Sequence, residues 1–396
     1  MNILSDIYLS YLNSFLFSSI QMLLYVTIPF IADRTSIPNH HLSGSISIGS
    51  LLVAFSGPFL SSLTDKYGRK KILALSLFGL ALSFIILSLI IIYPSKLSLN
   101  SKISLMYISR ICFGLLSSAI IPATQALLLD ISKANSHLRV LTKNSMALNL
   151  GKIIAPILVL IQFINYEFLI LILTLFILIL AIVQLQKAKK EKIENNLIEN
   201  FSFKSFILIM KDTKLPFFLA LFFTGFIGVM HSTLGNHLKI IFNIKGQDAT
   251  ILMAKIILVI SILGFFIQYL SSKLNFSWFS MLNLGAISII IGAFTLSEAN
   301  SLNEVWIAIF IVSIGFALIP PVYLNLFSKK TSNEAFYGKK IGIASIAHSL
   351  GYALGTGIAA LSLKMNLFSI TYTILFISIL VGIVTALLNK NKAIYV

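Results

Sequence analysis

Apolar residues run through this chain in blocks of about twenty, separated by short polar stretches, and only once does the polar stretch grow long. FLILILTLFILILAIVQLQ (168–186) shows the pattern: it is apolar on every side, with none of the strict alternation of a half-buried strand. A helix crossing a bilayer needs about 20 mostly apolar residues. On that rule the chain divides into twelve predicted spans: 8–32, 42–64, 72–94, 102–130, 140–163, 166–186, 215–239, 249–271, 277–297, 302–328, 338–362 and 366–388. A membrane barrel would instead show segments of about ten residues alternating apolar and polar. The expected fold class is therefore all-α integral membrane, with twelve transmembrane helices.

Composition agrees. A mean hydropathy of +0.95 leaves too little polar surface to face water. The net charge of +17 would suggest nucleic acid in a soluble protein, but here the basic residues cluster between apolar runs. They are distributed unevenly: 21 of the 30 lysines and arginines fall in alternate loops and the tail. By the positive-inside rule those loops are cytoplasmic, and an even number of spans then places both termini in the cytoplasm, across a cytoplasmic (inner) membrane. The N-terminus lacks a basic start and a small-residue cleavage pattern, so no cleaved leader is expected. A single cysteine, Cys112, excludes an internal disulfide and a cysteine-built metal site.

The one long polar stretch, 187–214, separates a six-span half (1–186) from another (215–396). Within it, FSFKSFILIMK reads either as an amphipathic helix on the inner membrane surface or as part of a solvated linker. A weak repeat supports two related halves: SMALNLG (145–151) matches SIAHSLG (345–351) at four of seven positions. Duplicated halves of this kind belong to transporters whose substrate site lies near the bilayer midplane.

The densest charge cluster is SSLTDKYGRKKIL (61–73), between the second and third spans. Asp65, Lys66, Gly68, Arg69 and Lys70 match, in spacing and in loop, the signature of the major facilitator superfamily, with Ser61 in place of its first glycine. Arg110 with Gly114 resembles the family's second motif. GKIIAP (151–156) resembles a degraded form of its exporter motif, and GFFIQYLSSKLN resembles an eroded second copy of the opening motif, with Ser272 at the position of Asp65. The resemblance implies a transporter of two six-helix pseudo-repeats that alternates access by rocking its halves. It implies that Asp65 and Arg69 form an inner latch, with Gly68 supplying the freedom of the tight turn. Topology alone is expected to account for Lys66, Lys70 and Lys71.

Charges inside spans cost about 2.5 to 3.5 kcal/mol at a helix centre and so point to chemistry. Three are basic, Arg110, Lys152 and Lys255, while Asp33, Glu167 and Glu298 lie at span ends. Helical spacing groups Arg110, Gly114, Ser117, Ser118 and Gln125 on one face; Ser145, Asn149, Lys152 and Pro156 on a second; and Ser345, His348, Tyr352 and Thr356 on a third. Gln21 lies mid-span in the first helix and His231 in the seventh. The expected substrate-binding set is Gln21, Arg110, Gln125, Asn149, Lys152, Lys255 and Tyr352. A cavity with cations and no central carboxylate suits a small anion carrying carboxylate or phosphate, carboxylate-type siderophores included. His231 and His348, with ordinary pKa values near working pH, are the candidates for proton coupling.

The chain has no HExxH, no nucleophile elbow and no P-loop, so neither an enzyme nor an ATP-driven pump is expected. No catalytic residue, metal or cofactor is expected; the partners are a small-molecule substrate and membrane lipid, with no nucleic acid, and the protein is expected to be a monomer. The residues leave open proton-coupled efflux, uptake of an anionic metabolite, multidrug efflux and a non-transporting scaffold.

Overall fold

The computed structural model describes residues 3–132, 137–162, 164–188, 213–274, 276–328, 334–365 and 370–390. Among these residues there is no strand, and twelve helices are long and apolar enough to cross a bilayer. They are α1 Ile3–Thr35, α2 Asn39–Tyr67, α3 Arg69–Ile92, α4 Leu99–Ile131, α5 His137–Ile161 and α6 Tyr166–Ala188. The rest are α7 Lys214–Ile241, α8 Gly246–Lys273, α9 Trp278–Glu298, α10 Leu302–Ser328, α11 Glu334–Met365 and α12 Ile370–Lys390. Each predicted span overlaps one of them, with ends shifted by a turn or so. Residues 189–212, which hold FSFKSFILIMK and most of the polar stretch between the halves, lie outside the described residues.

Local chemistry sets the helix ends. Ser98 and Ser277 cap α4 and α9, each hydroxyl accepting from the backbone N–H three residues on, at 3.2 and 3.1 Å. At α10, Ser301 and Glu304 form a reciprocal capping box: the Ser301 hydroxyl accepts from Glu304 N–H, and the Glu304 carboxylate accepts from Ser301 N–H. Between α2 and α3 the chain turns at Gly68 with φ 91°, a conformation that a side chain would strain.

The fourth span differs from its expected form. One turn of 3-10 helix, Ser117–Ala119, interrupts α4, so Arg110 and Gln125 do not share one continuous helical face. Arg110 points at α3, whereas the Ser118 hydroxyl lies 2.9 Å from that of Ser56 on α2.

The described residues fall into two compact units. The first is bounded as Met1–Pro38, Leu51–Phe201 and Gly246–Ala254; the second as Asn39–Ser50, Ser202–Lys245 and Lys255–Val396. Within the first, α1 packs on α5, and α3 packs on α4 and α6; within the second, α7 packs on α11, and α9 on α10 and α12. The pairing therefore repeats at an offset of six helices, and the short sequence repeat lies at matching joints. A Cβ on Gly151 would overlap the carbonyl oxygen of Phe15 on α1, and one on Gly351 would overlap that of Leu221 on α7. In lipid there is no hydrophobic drive to hold helices together, so close backbone approach at small residues is what joins them.

Gly355 extends this joint, because a Cβ there would land on the Gly225 carbonyl. Gly355→Val is expected to force α7 from α11 and lower the unfolding temperature of the detergent-solubilised protein, overpacking costing about 1–3 kcal/mol or more. Gly264→Ala, at a position with open space around the added methyl, is the control and should leave that temperature unchanged.

Candidate functional site

The charged turn between α2 and α3 comes first in the chain. Arg69 heads α3, and its guanidinium pairs with the Asp130 carboxylate at the end of α4, 2.8 Å away. This contact lies within the first unit. The backbone of Asp65 is in the last turns of α2, while its side chain lies outside the described residues.

Lys70 departs from its expected role. Read as a topology charge, it should face water; instead it is 2 % exposed, with its ammonium 2.6 Å from the Asp6 carboxylate, which is equally buried. Lys187 at the end of α6 reaches the other oxygen of Asp6 and also donates to the Ser5 hydroxyl. The first turns of α1 and α3 and the last of α6 thus meet at one buried carboxylate bridged by two ammonium groups. Only Lys66 and Lys71 remain exposed, as topology charges should be.

Of the three basic residues inside spans, Arg110 is the one enclosed in packing. It is 2 % exposed, donates from Nη2 to the hydroxyls of Ser83 and Ser109 at 2.9 and 3.0 Å, and lies over the rings of Phe84 and Phe113. These contacts join α3 to α4 and hold the cation by hydroxyl dipoles and ring faces rather than by a carboxylate. Its Nε has no hydrogen-bond partner among the described residues.

Lys152 and Lys255 differ in that both side chains are exposed. Lys152 lies near the middle of α5, and Asn149 and Ser145, one and two turns before it, are exposed on the same face. No hydrogen bond or ion pair reaches Lys152 from another described residue. A bare ammonium at that depth is costly in lipid, and charged groups within spans almost always face the bundle interior or a water-filled cavity. On α1, Gln21 is buried and its Nε2 has no partner among the described residues. Gln125 is half-buried on the second segment of α4.

The second unit brings together three residues picked out from sequence and adds one. Nδ1 of His231 on α7 lies 3.2 Å from the Tyr352 hydroxyl on α11. One turn earlier on α11, the His348 ring meets the edge of Tyr323 on α10, centroids 5.2 Å apart. Tyr323 escaped sequence reasoning, although the preceding pair Pro320 and Pro321 marks it. Pro321 has no N–H for the Ala317 carbonyl, and Gln268 of α8 supplies the missing donor at 3.1 Å. Beside this repair lies a crevice of about 530 Å³ lined by Gln268, Ser271, Ser272, Phe276, Met281, Pro320, Pro321 and Leu324.

Sequence reasoning also missed Asn13 and Asn236, fully buried amides on α1 and α7 whose oxygen and nitrogen have no partners among the described residues. Buried amides of this kind normally meet water or a ligand, and an asparagine within a span was the signal available for each.

Comparison with known proteins follows the same lines. Residues 10–356 match the family model described as Major Facilitator Superfamily. The chain is 33 % identical over 122 residues to Multidrug resistance protein 2 of Bacillus subtilis, a match covering 29 % of this chain and 28 % of that relative. It is 24 % identical over 407 residues to the Quinolone resistance protein NorA of Staphylococcus aureus, covering 98 % of this chain and 97 % of NorA. Among solved structures, a bacterial homologue of the human lysosomal transporter Spinster superposes with a TM-score of 0.73 at 12 % identity, covering 99 % of this chain and 97 % of the other.

Proposed function

Since the chain belongs to the major facilitator superfamily, we propose that this multi-pass transporter exports a small carboxylate-bearing anion by alternating access, with both termini in the cytoplasm. The observation that carries the anion reading is Lys152, an exposed cation near mid-span with no acidic partner among the described residues and with Ser145 and Asn149 beside it. A carboxylate completes such a group, and an organic cation meets uncompensated repulsion. Lys255, also exposed, adds a second positive charge along α8. Arg110 acts indirectly, holding α3 to α4 behind the site. Efflux draws support from the names of the two relatives and from the remnant GKIIAP.

Proton coupling fits the pair of histidines on α7 and α11, each against a tyrosine. Multidrug efflux is the second reading, favoured by the likeness to NorA along nearly the whole chain.

Inside-out membrane vesicles separate the two readings. With an acid-inside gradient, radiolabelled di- and tricarboxylates should accumulate, an organic cation should not, and collapse of the gradient should slow accumulation. Accumulation of the cation alone would establish multidrug efflux in place of anion export. A rate indifferent to the gradient and to replacement of both His231 and His348 would remove the histidine coupling.

A further inference from the structure

The first helical residues of α8, Gly246–Ala254, belong to the compact unit built from α1 and α3 to α6, not to the unit that holds the rest of α8. Three contacts attach this end to α1. The Asp33 carboxylate accepts a hydrogen bond from Gly246 N–H at 2.7 Å. The Thr250 hydroxyl, fully buried, accepts from Phe30 N–H at 3.1 Å. Gly246 itself has no room for a side chain, since a Cβ would overlap both the Asp33 carboxylate and the Pro29 carbonyl. An acidic group against unsatisfied N–H groups at a helix start is favoured by hydrogen bonding and by the helix dipole. α2, the repeat counterpart of α8, is treated likewise. Its first residues, Asn39–Ser50, belong to the unit of α7 and α11, where the Ser47 hydroxyl donates to the Ala353 carbonyl at 2.7 Å.

We propose that Asp33, with Thr250, is an outer latch: it docks the external end of α8 on α1, and this docking must break each time the outer side opens. The inference rests on the alternating-access reading and on the proposed orientation. It assigns to the outer side a carboxylate-on-helix contact made by a different residue from those of the charged inner turn. Asp33 is a positioning residue, and nothing in its role requires contact with the substrate.

The test reads docking directly. In a Cys112→Ser background, Met253→Cys places a thiol on the docked segment at a position that is 1 % exposed, and Ala286→Cys on α9 is a buried control. A membrane-impermeant maleimide is then supplied from outside. Asp33→Ala is expected to speed labelling at position 253 by about fivefold, the scale of losing a helix cap, and to leave position 286 unchanged. Asp33→Asn, which keeps an oxygen for the Gly246 N–H, should fall between wild type and Asp33→Ala. Should Asp33→Ala fail to fold, Thr250→Val supplies the same measurement. Unchanged labelling at 253, equal acceleration at 286, or labelling only from the cytoplasmic face overturns the latch. The readout needs no substrate, so it can fail while anion export stands and succeed while anion export falls.

Discussion

Lys152→Met is expected to abolish transport of carboxylate-bearing solutes while leaving the protein folded and inserted. Methionine matches the length and the apolar stem of lysine, so α5 keeps its packing through Gly151, Ala155 and Pro156, all buried. What disappears is one charge on an exposed, polar-lined face. A hydrogen bond to a charged partner contributes about 1.5–3 kcal/mol, which corresponds to a loss of roughly ten- to a hundredfold in affinity for the anion. Lys152→Arg keeps the charge and should retain part of the activity. Uptake into inside-out vesicles measures the loss, and the unfolding temperature of the purified variant checks that it is not a loss of protein. Transport unchanged in Lys152→Met would end the anion reading. The corresponding change at Arg110 is expected to read differently: Arg110→Met removes the link to Ser83 and Ser109 and should lower the unfolding temperature together with transport.

The distinction between Lys152 and Arg110 shows where the sequence stopped informing. Both are single cations in the middle of apolar runs, and the insertion cost that singles them out is the same for each. Their difference lies in what surrounds them: two unremarkable serines and two of 31 phenylalanines in one case, an exposed face in the other. The twelve spans were legible because a bilayer imposes one length and one composition on every segment. The faces of those spans were not, because lipid and protein interior are both apolar. On α6, Leu169, Ile170 and Leu173 are buried, while Phe168, Ile172 and Leu175 are exposed, and no polarity difference separates the two sets. The 3-10 turn at Ser117–Ala119 is similarly silent, since no proline or glycine lies within it. By contrast, His231, His348 and Tyr352 stand out against such a background as polar residues within apolar spans, although nothing in the sequence says that His231 meets Tyr352.

The same limit explains Lys70, whose position in a basic cluster gave no sign that it turns inward, and the consequence is the second large effect expected. Asp6→Ala should be the more destructive change in the buried cluster, because it removes at once the buried carboxylate that both Lys70 and Lys187 reach. Breaking a buried pair from one side costs about 3–5 kcal/mol. Lys70→Met should be milder, since Asp6 keeps Lys187 as a counter-ion. Lys187→Met should be milder still, its side chain being 28 % exposed and able to find water. Removing both buried charges together, as Asp6→Leu with Lys70→Met, is expected to recover most of the stability lost in Asp6→Ala, because the penalty belongs to the orphaned charge and not to the missing pair. Thermal unfolding in detergent orders the four variants. If Asp6→Ala proves no worse than Lys187→Met, the ammonium of Lys70 has an escape to water, and its place among the topology charges is restored. If the order holds, the charged turn that opens α3 divides by function: Lys66 and Lys71 stay exposed, Arg69 ties α3 to α4 through Asp130, and Lys70 holds the starts of α1 and α3 together at Asp6.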